Sequence, residues 1–166
     1  HHPIHPNDDV NKSQSTNDTF PAAIQISVVS SIIKKLLPSI KELTKVLDKK
    51  SNEWKDLIKI GRTHFQDAVP ISLGQEVSAW SQQLKDAKDA LLMSLDELCF
   101  LPLGGTAVGT GINCPKDFPE ESIKTISKDT NLLFYKSKNH FSLMGSHDRL
   151  AHVMSQIKIL AGALFK

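Results

Sequence analysis

The sequence predicts an all-α chain, a bundle of long helices. Three observations carry this. Three apolar stripes run at helical spacing, no run of alternating residues demands a sheet, and no internal repeat or low-complexity tract interrupts the chain. Each stripe covers about 25 residues, roughly 38 Å of helix at 1.5 Å per residue. Such narrow, heptad-like stripes suit packing at shallow crossing angles.

The first stripe is Val29, Ile32, Ile33, Leu36, Leu37, Ile40, Leu43, Leu47. Steps of three and four place these residues on one side of a helix. Pro21 is expected in its first turn, with Asp18 or Thr19 as the cap. Pro38 lies inside the pattern and predicts a kink rather than a stop, because the stripe continues in phase beyond it. The second stripe is Leu73, Val77, Trp80, Leu84, Ala87, Leu91, Leu95, Leu98, with Ser72 and Gln75 at capping-box spacing before it. A glycine-rich loop follows, Leu103 to Gly111, and then a shorter helix over Asp117 to Thr130 with Pro119 near its start. The third stripe is Leu143, His147, Leu150, Val153, Ile157, Leu160, Leu164. It runs on without a Gly or Asn stop signal, and the chain opens at His1-His2 without a helix. Long apolar stripes need partner helices, so a fragment or an obligate oligomer is expected.

Composition narrows the function classes. The chain has 166 residues, 40% of them hydrophobic, enough for one domain with a sizeable core. Lys+Arg is 20 against Asp+Glu 18, a net charge of +2 that gives no electrostatic case for nucleic acid or an anionic membrane. The least charged stretch, Phe20 to Ile33, reads as too short to span a bilayer. Cys99 and Cys114 have no CxxC spacing and read as reduced thiols. His140, His147 and His152 are not spaced as metal ligands, and His147 and His152 are expected on one helix as packing or surface residues.

Two polar clusters could carry chemistry. In the first, His5 to Asp18, Ser15, Thr16 and Asn17 crowd the start of a long helix. Hydroxyls, an amide and free backbone N–H groups there suit a carboxylate; a solvated loop before a capped helix is the plainer alternative. The second, Gly61 to Asp67, lies between two long helices. His64 is its candidate for proton transfer, since an imidazole titrates near neutrality; a polar connector is the alternative. The glycine loop lacks the GxxxxGK[ST] pattern and a preceding strand, so a tight-turn and packing role is expected for it.

Together the segments HPNDDVNKSQSTND, GRTHFQDAVPISLGQE and LGGTAVGTG resemble the class II fumarase family in order and spacing, from about His5 to the last residue. Within the wider superfamily, His64 and Gly105 favour fumarase, because aspartate ammonia-lyases usually carry GRTQ and LGATA there. The resemblance implies reversible hydration of fumarate to L-malate through a carbanion, without metal or cofactor. It implies that Ser15, Thr16 and Asn17 bind a carboxylate, that Thr63 is a further substrate contact and that His64 orients and activates water. His5, Pro6, Asn7 and Asp8 resemble the family's second dicarboxylate site. Residues 1–18 are thereby expected as a polar substrate-site loop and 19–166 as part of the central helical bundle domain.

The family's SGTQ-like loop and its GSSIMPGKVN-like loop, with the proton-abstracting serine, are not in this chain. Neither is the acidic partner of His64, and His2 stands where a basic residue, often Arg, precedes HPND. The resemblance further implies a homotetramer with active sites shared between subunits, in a bacterial cytoplasm or a mitochondrial matrix. This chain alone is expected not to turn over fumarate. The competing readings are an ammonia-lyase of the same superfamily and a non-catalytic helical oligomerisation module.

Overall fold

The computed structural model describes residues 2–165. They fall into two compact units, one comprising residues 1–32 and 94–153 and the other 33–93 and 154–166. His1 lies outside the described residues.

The first unit opens with a single π-helical turn, Pro6–Val10, followed by α1, Thr16–Ser31. Ser15 is the cap of α1, and Asp18 completes a capping box with it. The helix thus starts earlier than the sequence reading expects, and Pro21 sits inside it rather than in its first turn. Further on come β3 (Phe100–Leu101), the glycine loop, α4 (Phe118–Thr130), β4 (Tyr135–Lys136) and α5 (His140–Gly145). β3 and β4 form a short parallel pair. Ala22, Val29, Leu98, Leu101, Ile123, Phe134 and Leu143 are buried as the core of this unit.

The third long helix is not continuous. The chain leaves α5 at Ser146, whose extended backbone (φ −150°, ψ 151°) breaks the helix, and α6 begins only at Asp148 and runs to Leu164. Gly145, a poor helix former, ends α5, and the helical spacing survives across the break, which is why the stripe reads as one element. His147 therefore precedes the helix that holds His152.

The second unit contains α2 (Leu37–Glu53), β1 (Ile58–Thr63), β2 (Gln66–Ser72) and most of α3 (Leu73–Leu98). Ile40, Val77, Leu84, Ala87, Leu91 and Leu160 form its core. The capping box before α3 is present in full: Ser72 N–H donates to Gln75 Oε1 at 2.9 Å and Gln75 N–H to Ser72 Oγ at 3.1 Å. Pro38 does not stop the first long helix. A π-helical turn over Ile32–Leu36 precedes it, a register change that accommodates a ring with no N–H to donate.

Helical structure thus runs from Thr16 to Glu53, 38 residues, with an 18-residue window of mean hydropathy 1.4. By length and composition this passes the test for a membrane crossing, which the uncharged stretch alone did not. Its buried face holds Asp18, Pro21, Ala22, Gln25 and Val29.

β1 and β2 are the main departure from the all-helical expectation at this level. They pair antiparallel through a two-residue turn, His64–Phe65, with Thr63 opposite Gln66. The register shifts between Ile60 and Arg62, where Ala68 and Val69 of β2 face the single residue Gly61 of β1. A Cβ on Gly61 would lie 2.7 Å from the Val69 carbonyl oxygen, so the bulge requires glycine.

Asp48 on α2 links to α3: it accepts from Lys85 Nζ at 2.8 Å and from Ser81 Oγ at 2.5 Å. The Lys85 hydrogen bond, then that of Ser81, holds its carboxyl below the usual range. A depressed folded value gives stability above the unfolded value, lost as pH falls through the folded one. Asp48→Asn should therefore lower stability at pH 7, by under about 1 kcal/mol for so exposed a pair. The gap to the natural chain should close below about pH 4. Urea unfolding at pH 7 and pH 3 checks this.

Candidate active site

The site is organised by Asp18, which is fully buried. Its Oδ1 accepts from Ser15 N–H at 2.9 Å, closing the capping box. Its Oδ2 accepts from Gly104 N–H at 3.1 Å and Thr106 N–H at 2.9 Å. One carboxylate therefore holds the glycine loop against the first turn of α1. Asn17 adds a second tie, donating through Nδ2 to the Ala107 carbonyl at 2.7 Å.

The loop is bent sharply. Gly104, Thr106, Gly109 and Gly111 all have positive φ, and Thr106, β-branched, takes φ +57°. Such a conformation costs about 1–3 kcal/mol. Hydrogen bonds to a charged acceptor contribute about 1.5–3 kcal/mol each, so the two from Oδ2 are enough to hold it. Gly104 must stay glycine: beyond its φ of +89°, a Cβ would collide with the Pro119 ring. The Thr106 hydroxyl is buried and has no hydrogen-bond partner among the described residues.

Beside this junction lies a cavity of about 380 Å³, lined by Thr16, Asn17, Phe20, Ala107, Met144 and His147, among others. Thr16 and Asn17, in the first turn of α1, bring a hydroxyl and an amide to it. Ser15 does not line it: its hydroxyl is committed to Asn17 N–H at 3.2 Å. Anions are favoured at such helix starts, where N–H groups lack intrahelical partners. Phe20, Phe141 and Met144 supply the apolar wall.

Thr63 and His64 lie in the other unit, at the tip of the β1–β2 hairpin. Both are exposed. His64 and Phe65 have φ +51° and +61°, so both turn residues are left-handed. This geometry favours Asn-Gly; a phenylalanine in it is an outlier, and Phe65 is 97% exposed. Strain of this kind marks functional tips more often than it marks connectors. The glycine before His64 faces a bulge rather than making the turn.

His5 heads the π-helical turn. Its Nδ1 accepts from the Asn7 and Asp8 N–H groups, each at 3.3 Å, and Asp9 Oδ2 accepts from His5 N–H at 2.7 Å. The Asp8 carboxylate also lies 3.2 Å from Nδ1.

Sequence reasoning named Asp18 only as a possible cap, and it missed the strain at Phe65 and Thr106. The signal for Asp18 was available: it stands three residues after Ser15. Its tie to Gly104 and Thr106 spans more than 80 residues and leaves no local trace.

Cys114, near the glycine loop, has its thiol pushed up by burial and then by the Asp18 carboxylate. It stays protonated near neutral pH and is a poor nucleophile.

Asp18→Ala leaves two buried loop N–H groups unpaired, at about 1–3 kcal/mol each. Thermal unfolding should report a loss of about 3 kcal/mol or more, well beyond that of Asn17→Ala at an exposed amide.

The chain is 87% identical over its whole length to a class II fumarate hydratase of Prochlorococcus marinus, spanning 36% of that protein. It is 45% identical to the class II fumarate hydratase of Bacillus subtilis over 98% of its length, spanning 35% of that protein. The chain therefore spans about a third of the relatives it matches. A crystal structure of recombinant class II fumarase from Schistosoma mansoni superimposes with a TM-score of 0.95 at 41% identity, over 98% of this chain and 37% of that one. A likeness so close confirms the predominantly helical fold, with its long helices and its hairpin. The model of the lyase family matches residues 1–166, and the chain belongs to that family.

Proposed function

We propose that the protein containing this chain catalyses the reversible hydration of fumarate to L-malate. The observation that carries the reading is the cavity at the start of α1, where Thr16 and Asn17 meet an apolar wall. A small dicarboxylate needs that combination: donors for a carboxylate and a dry surface for its carbon chain. The names and identities of the relatives support the same reading.

Hydration of fumarate places negative charge on the carbon next to a carboxylate, and that charge delocalises into the carboxylate. Donors aimed at the carboxylate stabilise this state more than the ground state. Thr16 and Asn17 take that role, and Ser15 and Asp18 set their geometry. Thr63 is a further substrate contact. His64 orients and activates the water, its tip presented by the strained hairpin. The proton on carbon requires a separate base, which the resemblance places outside this chain.

Self-association fits the hairpin. Ile58 is 72% exposed, Val69 66% and Phe65 97%, apolar area that a second copy would cover. The arrangement in view is a homotetramer, in which His64 of one copy serves a cavity of another. The reading includes a second dicarboxylate position at His5, Pro6, Asn7 and Asp8. Neither nucleic acid nor a cofactor has a role in this reading.

The test follows fumarate absorbance with the full-length protein, using L-malate and, separately, L-aspartate. Malate should be consumed and aspartate left alone. His64→Asn should lower kcat by about a hundredfold or more, the range for loss of a positioned acid–base group. The 166-residue chain alone should show no turnover. Activity on aspartate would replace this reading with an ammonia-lyase, and silence on both would favour a purely structural helical module.

A further inference from the structure

We propose that a single water molecule held by Gln25 orients His147, so that His147 presents a ring N–H to the carboxylate of the ligand in the Thr16–Asn17 cavity. The inference rests on the dicarboxylate reading of that cavity and adds to it a substrate-facing residue, His147, and a positioning residue, Gln25.

Gln25 is 7% exposed. Its Nε2 donates to the Phe100 carbonyl at 3.0 Å, which fixes which end of the amide faces β3. Its Oε1 is left buried with no hydrogen-bond partner among the described residues. An unpaired buried acceptor costs about 1–3 kcal/mol, enough to require a donor. Gln25 also lines a second, small cavity of about 20 Å³, together with Ser146, His147 and Arg149. That is room for one water, provided two or more polar groups hold it.

The polar groups can be sorted. Arg149 is committed to Glu97: Nη1 donates to its carbonyl at 3.2 Å and Nη2 to its carboxylate at 3.1 Å. Its guanidinium also lies over the Phe100 ring. The Ser146 hydroxyl and the His147 ring are then the groups that complete a water's hydrogen bonds. A water accepting from Ser146 can donate one proton to Gln25 Oε1 and the other to a ring nitrogen of His147. The second ring nitrogen then carries the N–H.

His147 is placed to use it. Pro21 and His147 line both cavities, and only His147 has polar side-chain atoms. It reaches this position because the chain breaks at Ser146 between α5 and α6. An N–H entering the larger cavity there adds to the donors of Thr16 and Asn17 and suits an anion.

The experiment combines a high-resolution crystal structure of the full-length protein with steady-state kinetics on L-malate. The structure should show a water about 3 Å from both Gln25 Oε1 and a His147 ring nitrogen. His147→Leu should raise KM and lower kcat, for a loss in kcat/KM of roughly tenfold, the size of one hydrogen bond to a charged group. His147→Gln, which keeps a donor, should recover most of the loss. His147 is exposed, so its variants leave the core intact. Gln25→Met should lose the water and lower kcat/KM by about threefold. A dry small cavity, or an unchanged kcat/KM in His147→Leu, would overturn the proposal while leaving the fumarate reading in place. A natural protein inactive on malate would overturn the fumarate reading, and this proposal with it.

Discussion

The Asp18 carboxylate is the contact on which the rest of the first unit depends. A buried charge is tolerated only when hydrogen bonds replace its hydration. Here three backbone N–H groups do so, from Ser15, Gly104 and Thr106. The arrangement is reciprocal. The loop supplies the donors that make a buried carboxylate acceptable, and the carboxylate supplies the acceptor that makes a left-handed threonine acceptable. Neither element would hold this form alone. The consequence is positional: Thr16 and Asn17 lie two and one residues from the anchor, so the side chains facing the cavity start from a fixed backbone.

The second unit solves a different problem. His64 stands at the tip of the hairpin in a narrowly defined, left-handed backbone conformation. A two-residue turn achieves this because it leaves few backbone degrees of freedom. The register is set below it by the bulge opposite Gly61 and by strand pairing from Ile58 to Ser72. Lys59 and Glu76 pair at 2.7 Å and tie the hairpin to the start of α3. The left-handed backbone at the tip is thus supported from below by the paired strands.

How far the sequence revealed this depended on the range of each interaction. The α3 boundaries were legible because both signals are local: a stripe at helical spacing and a capping box within four residues. The short helix α4 was legible from Pro119 near its start, a signal just as local. The break at Ser146 was not, because helical spacing continues in phase across it. The hairpin was hidden for another reason. Ile58, Lys59, Ile60 alternate for too few residues, and His64–Phe65 is not a turn sequence. Among residues named by motif, Thr16 and Asn17 line the cavity, Ser15 caps the helix beside it, and Thr63 and His64 stand at the hairpin tip. Asp18 and Thr106 owe their importance to a long-range contact that no spacing rule reports.

Gly105 shows how such contacts bear on specificity. It is the position where the fumarase-like pattern departs from the LGATA form. A Cβ there would stand 2.5 Å from Met144 Sδ and 3.2 Å from the His140 side chain. Met144 lines the Thr16–Asn17 cavity, and His140 Nε2 is 3.2 Å from the Leu103 carbonyl of the same loop. One added methyl group would therefore act at two places. It would press the flexible thioether of Met144 from its place in the cavity wall, and it would crowd the imidazole that helps hold the loop. The glycine does not line the cavity, yet its lack of a side chain sets the place of Met144 in the cavity wall. A sequence difference that looks like loop variation is, in physical terms, a difference in cavity shape.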